Sequence, residues 1–201
     1  MEEIDYLTPD PKYKDHPMDL VFANRVREIV KEYGITTIVE TGVDLATSAM
    51  TLTRIADKYI GIEILQKSVD LANQRFAEND ITNAQIIKGN SPIVLLNIMH
   101  QLDVEKTLFF LDAHWGAYWP LLDEIGSISS GKGIIIMHDF EVPGHPELGF
   151  DTQLSGPERG KVLNYNYVKD ALTRWSPSHR IEYNKQAMHV NPRGLCYVFP
   201  R

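Results

Sequence analysis

Most of the chemistry this chain offers lies in short polar stretches: Glu40 to Asp44, Glu63, Gly89 to Ser91, Asp112 to Trp115, and His138-Asp139. Glu63 follows Glu40 by 23 residues, and a carboxylate so placed can accept hydrogen bonds from both hydroxyls of a ribose. Asp112, His138 and Asp139 offer the oxygen and nitrogen atoms that hold a divalent cation. A neutral imidazole can take a proton from a hydroxyl at neutral pH, which makes His114 the first candidate for a base and His145 the second. Each has a plainer alternative: a solvated Glu, a surface histidine, a serine that only caps a helix at Ser48, or His138 and Asp139 bonding only to a neighbouring loop.

Those residues need elements that end beside one another. Apolar residues recur at helical spacing from Leu20 to Tyr33, and Gly34 follows as a stop. A β-branched run, Ile35 to Val39, ends on Glu40, and a helix with Ala49, Leu52 and Ile55 on one face follows. The alternation repeats as strand Tyr59 to Ile64, helix Ser68 to Asn79, strand Ala84 to Lys88 and a short helix from Pro92. It continues as strand Thr107 to Leu111, helix Tyr118 to Ile128 and strand Gly133 to Met137. Continuous apolar strands suit a sheet covered on both faces, and strands alternating with helices imply a parallel doubly wound sheet. The rhythm then breaks. Residues 140–162 read as a long loop, followed by a helix from Asn166 to Trp175 and two strands, Arg180 to Gln186 and Leu195 to Phe199. These last two read as an antiparallel pair at the sheet's edge. The expected fold is an α/β, Rossmann-like sandwich: one domain over 1–201, a mostly parallel seven-stranded sheet, and an irregular arm over 1–17.

In open sheets of this kind ligands bind beyond the carboxyl ends of the strands, where the polar stretches fall. The net charge of −7 disfavours nucleic acid, which needs basic surface to neutralise phosphates. The acidic opening MEEIDYLTPD has no signal-peptide core, and no apolar run approaches the roughly 20 residues that span a bilayer. The expected location is the cytoplasm, away from membranes, and a homo-oligomer is left open. The lone cysteine, Cys196, sits in an apolar run and reads as core.

The first loop distinguishes between nucleoside cofactors. A dinucleotide site wants G-x-G-x-x-G so that backbone can approach a pyrophosphate. Here Gly42-Val43-Asp44-Leu45-Ala46-Thr47 has one glycine, and Asp44 would repel a pyrophosphate. S-adenosylmethionine (SAM) has no phosphate; its ammonium, carboxylate and sulfonium suit a loop with carboxylates and a helix opening at Thr47-Ser48.

The runs V-E-T-G-V-D-L-A-T-S-A-M, Y-I-G-I-E-I, I-I-K-G-N-S and F-F-L-D-A-H-W resemble the class I SAM-dependent methyltransferases. More narrowly, they are similar to the metal-dependent O-methyltransferases of the catechol type, and related enzymes of that kind methylate sugars. The resemblance covers about residues 20–145. It implies that Gly42 and Ser48 hold the methionine part, with Glu40 shaping its pocket. Glu63 would bind the ribose, Asn90 and Ser91 would lie near the adenine, and Trp115 would either wall the base or belong to the core. Asp112 would sit between cofactor and metal. The family's cation, Mg²⁺, would hold the acceptor hydroxyl and lower its pKa.

Two departures stand out. His138 occupies a position where the family has Asp, and imidazole favours Mn²⁺, Fe²⁺ or Zn²⁺ over Mg²⁺. A one-residue slip would instead put Asp139 there, with His114 and Glu141 as spare ligands. The catechol enzymes also place a lysine after the tryptophan, where this chain has Gly116, so His114 becomes the substitute base. The segment from Glu141 to Tyr167 is expected to line an acceptor pocket. Its mixture of Phe150, Tyr165 and Tyr167 with Asp151, Gln153, Glu158, Arg159 and Lys161 suits a polyol, sugar or natural product as well as a phenol. The expected activity is O-methylation of a small-molecule hydroxyl with Mg²⁺ or Mn²⁺. The alternatives are an oxidoreductase or hydroxylase on the same fold and a noncatalytic SAM-binding protein.

Overall fold

Apolar residues at helical spacing explain the first element. In α1 (Leu20–Tyr33), Phe22, Val26 and Ile29 are buried on one face, Asp19 caps the N-terminus by accepting from the amides of Val21 and Phe22, and Gly34 ends the helix in the left-handed region. The computed structural model describes residues 18–114, 118–188 and 191–201. The expected arm over 1–17 and the role given to Trp115 lie outside the described residues.

The remaining elements are β1 (Thr37–Thr41), α2 (Thr47–Leu52), β2 (Lys58–Glu63), α3 (Gln66–Glu78), β3 (Ala84–Lys88), α4 (Ser91–Ile98), β4 (Thr107–Leu111), α5 (Leu121–Ser127), β5 (Ile134–Met137), α6 (Tyr165–Trp175), β6 (Arg180–Tyr183) and β7 (Cys196–Phe199). The strands form one seven-stranded sheet in the order β3-β2-β1-β4-β5-β7-β6. Pairings from β3 through β5 are parallel, and β7 runs antiparallel to both β5 and β6.

Period-2 alternation sends neighbouring residues to opposite faces. Ile38, Leu108, Phe110 and Ile136 pack with α1, α2 and α3, while Val39, Phe109, Ile135 and Met137 pack with α4, α5 and α6. The result is a three-layer sandwich. Truncating a buried phenylalanine of β4 to alanine would cost about 3–5 kcal/mol, which is why the strand ends hold a fixed position. Cys196 is fully buried in β7, and burial pushes its thiol pKa up. No helix among the described residues is long and apolar enough to cross a membrane.

Several boundaries differ from the expected ones. β1 covers Thr37–Thr41 rather than Ile35 to Val39, because its ladder starts opposite Lys58 and Thr107. α5 begins at Leu121, after Pro120, not at Tyr118. β6 stops at Tyr183, opposite Cys196; beyond it the Asn184 side chain takes over by accepting from the Leu195 amide at 2.7 Å.

Residues 140–162 are not a free loop. Phe140 donates to the Gly194 carbonyl at 2.9 Å, Asp151 to that of Asp139 at 2.9 Å, and Gln153 to that of Lys161 at 2.9 Å. An isolated bridge joins Thr152 to Val162. Gly194 is required for this docking, since a Cβ there would lie 1.9 Å from the Phe140 carbonyl oxygen. The segment is therefore strapped to the chain that enters β7.

Candidate functional site

β1 passes into Gly42, whose φ of 77° lies in the left-handed region. A Cβ at Gly42 would stand 2.5 Å from the Asp112 carbonyl oxygen and 2.8 Å from the Ala113 Cα. Only glycine lets this loop lie directly on the end of β4. The loop is also tied to β2. Glu63 accepts from the Asp44 amide at 3.0 Å with one oxygen and from the Leu65 amide at 2.8 Å with the other. Both oxygens keep lone pairs, so the carboxylate is oriented without being exhausted.

Glu40 is wholly buried and accepts hydrogen bonds from the Ser48 and Tyr59 hydroxyls. Burial pushes its pKa up to about 8, with those two hydrogen bonds opposing and the charge of Asp112 adding to the rise. Ser48 does not cap α2, whose N-terminus receives no side-chain hydrogen bond; its hydroxyl serves Glu40. At the start of α4, the Asn90 side-chain oxygen is buried without a hydrogen-bond partner, and the Ser91 hydroxyl is buried beside the Glu124 carboxyl. A group left without a partner at a strand end awaits a ligand or water.

A second cluster forms beside the first. The Asp112 carboxylate lies 2.9 Å from His138 Nδ1 and 3.2 Å from His114 Nε2. Asp139 Oδ2 lies 3.3 Å from His138 Nδ1 and 3.1 Å from His114 Nε2. Asp112, His138 and Asp139, expected as metal ligands, thus bring ligand atoms within 4.8 Å of one another. Asp139 has φ 56°, a left-handed conformation that Asp tolerates better than most residues, and it turns the chain just past the end of β5.

Two residues enter the cluster: Asp151, expected from the sequence only as part of a segment lining an acceptor pocket, and Arg193, which the sequence reading did not assign to the site. Asp151 Oδ2 lies 3.0 Å from His114 Nδ1. Arg193 donates through Nε to Asp139 and through Nη2 to Asp151. Burial works against charge on the histidines, but the surrounding carboxylates outweigh it and push His138 up to about 10 and His114 up to about 12. Burial likewise opposes ionisation of Asp112 and Asp139, yet their cationic neighbours hold both below the usual carboxylate range. His114 has both ring nitrogens engaged, Nε2 by Asp112 and Asp139 and Nδ1 by Asp151, so neither faces the groove as the expected base would. His145 pairs with Glu147 at 2.9 Å, and the spare candidate Glu141 is taken by Asn164 at 2.7 Å.

Beside the cluster lies an open groove of about 480 Å³, walled by His138, Asp139, Glu147, Asn191 and Arg193. No aromatic side chain lines it among the described residues. Two aromatics of the 141–167 segment go elsewhere: Tyr167 packs edge-on against Trp119 and donates to Glu158 at 2.7 Å, and Tyr165 faces His179, while Phe150 is exposed beside Gly149 of the groove wall.

Residues 37–115 match a protein-family model described as "Putative methyltransferase". Curated proteins give no match. Among solved structures, an O-methyltransferase from Bacillus cereus in complex with SAH is similar at a TM-score of 0.64 and 14% identity, over 94% of this chain and 85% of that one. The O-methyltransferase TomG from Streptomyces achromogenes, in complex with SAM, gives 0.60 and 14% over 96% and 91%. An rRNA methylase from Streptococcus thermophilus gives 0.52 and 11% over 88% and 94%. The chain has the fold of the class I methyltransferases. The matched segment runs from β1 to just past β4 and contains Glu40, Gly42, Ser48, Glu63, Asn90, Ser91 and Asp112. His138, Asp139, Asp151 and Arg193 lie beyond it. Neighbours with different printed activities share the scaffold, so the acceptor must be argued from the site.

Proposed function

We propose that the chain transfers the methyl group of SAM to a hydroxyl oxygen of a small polar molecule, with a divalent cation at Asp112, His138 and Asp139. One observation carries this reading: Asp112 is shared. Its backbone touches Gly42 of the cofactor loop, and its carboxylate joins the histidine cluster, so donor and acceptor sides meet at one residue.

Glu63 is oriented to accept from the ribose, and the unpartnered Asn90 oxygen, with Ser91 beside it, suits an adenine. Those residues bind and position; closeness and alignment of the reacting groups are the main source of rate in such a transfer. A cation at the cluster supplies Lewis acidity that lowers the pKa of an acceptor hydroxyl. In the transfer the S–CH₃ bond breaks, a C–O bond forms and the hydroxyl proton is lost, with Glu147 in the groove wall, paired to His145, placed to receive it. The polar walls of the groove favour a sugar or other polyol over a flat phenol.

The test is transfer of labelled methyl from SAM to a panel of sugars, polyols and catechols, with and without chelator. The expected result is label in a polyhydroxylated acceptor, lost on chelation and restored by Mn²⁺ or Mg²⁺. Asp139→Asn should lower turnover at least about a hundredfold with SAM affinity unchanged. Undiminished transfer by that variant in chelator would remove the metal. Calorimetry showing affinity for NAD and none for SAM would favour the oxidoreductase.

A further inference from the structure

Four atoms of the cluster alternate around a closed ring: His138 Nδ1, Asp112 Oδ1, His114 Nε2 and Asp139 Oδ2. Its sides measure 2.9, 3.2, 3.1 and 3.3 Å. Ligands bound at about 2.1 Å and at right angles lie about 3.0 Å apart, so the ring has the dimensions of neighbouring positions around one cation. Hydrogen bonding alone does not call for such a ring, since each imidazole nitrogen has at most one proton to give and here faces two carboxylates.

The surroundings supply what such a centre needs. His114 presents its other nitrogen, Nδ1, to Asp151 at 3.0 Å, the contact that fixes the tautomer and direction of a metal-binding imidazole. Arg193 occupies the opposite oxygen of Asp139, Oδ1, and leaves Oδ2 facing the ring. An independent observation comes from α5. Glu124 is wholly buried beside the Ser91 and Thr41 hydroxyls, and burial pushes its pKa up to about 7. It lines a cavity of about 10 Å³ together with Asp112, His114 and His138. A cavity of that size has room for about one water, and a water on the cation would bridge it to the Glu124 carboxyl.

We infer that His114 is a ligand of the cation, oriented by Asp151, and that the resulting two-histidine, two-carboxylate set takes Mn²⁺, Fe²⁺ or Zn²⁺ in preference to Mg²⁺. This rests on the proposed metal site and extends it. Two imidazoles shift a site from hard oxygen donors towards borderline nitrogen donors, and Mg²⁺ gains least from that change. Because Asp151 belongs to the strapped 140–162 segment, loading the cation also fixes that segment against β5.

Pulsed electron paramagnetic resonance on the Mn²⁺-loaded protein counts coordinated imidazole nitrogens directly. The expected count is two in the natural protein and one in His114→Ala. Calorimetry should show Mn²⁺ bound at least tenfold more tightly than Mg²⁺. Asp151→Asn should keep both imidazoles but weaken Mn²⁺ about tenfold. A count of one in the natural protein, or an unchanged count in His114→Ala, would overturn the inference and leave the three-residue site standing. Absence of any Mn²⁺ or Zn²⁺ binding by the natural protein would overturn both. The natural-protein count does not depend on how well either variant folds.

Discussion

The two halves of this site are built by different means. The proposed cofactor side, around Gly42 and Glu63, is made of residues at or just beyond strand ends, held largely by backbone amides and one obligatory glycine. The proposed acceptor side, around His138 and Asp139, is held by side-chain ion pairs among residues just past β4 and β5, the 140–162 segment and the β6–β7 connection. The family match covers the first and stops before most of the second. Backbone-built sites bind what many relatives share, while side-chain clusters on loops are where acceptor chemistry can vary without disturbing the scaffold.

Breaking the cofactor side should have the largest effect. Gly42→Ala places a methyl group against the Asp112 carbonyl at a φ that costs a non-glycine residue about 1–2 kcal/mol before any overlap is counted. SAM affinity by calorimetry should fall at least about a hundredfold, equivalent to about 3 kcal/mol. Retained affinity would mean that the loop does not need its close approach to β4.

Glu40→Gln should have an intermediate effect, visible in the dependence of stability on pH. The folded pKa, about 8, lies above the ordinary 4.5, so the folded state binds this proton more tightly than the unfolded state does. The stabilisation is complete below pH 4.5 and is lost as the pH rises towards 8. Denaturant unfolding at pH 5 and pH 8 should show a loss on the order of 3–4 kcal/mol in the natural protein that Glu40→Gln lacks. Parallel profiles would place the proton elsewhere.

The smallest effect is expected on the acceptor side. Arg193→Met leaves Asp139 and Asp151 without their guanidinium, but its side chain is 32% exposed and water screens part of the loss. Without metal, stability should fall by about 1 kcal/mol. Adding Mn²⁺ should raise the melting temperature more in Arg193→Met than in the natural protein, with SAM affinity the same in both. A fall in SAM affinity would show that the two halves are less separate than their construction suggests.

The strand-helix alternation, the polar strand ends and the single-glycine loop could all be read along the chain, because each depends on residues close together in sequence. Asp112, His138 and Asp139 were legible for the same reason: each follows an apolar strand, and parallel strands bring their ends to one edge. Asp151 and Arg193 carried no such signal. One sits in a stretch that reads as polar loop, the other in a short connection between edge strands. His114 was visible as a histidine near the site but not as one with both nitrogens occupied.

The sequence by itself determined the scaffold and the row of groups along its ligand-binding edge, since periodicity and turn chemistry act over a few residues. Only the tertiary structure decided which of those groups share an ion-sized space. That choice rests on Phe140 docking against Gly194, which brings Arg193 and Asp151 to the end of β5. Electrostatics among side chains depends on distance in space, and no local pattern in the chain records it.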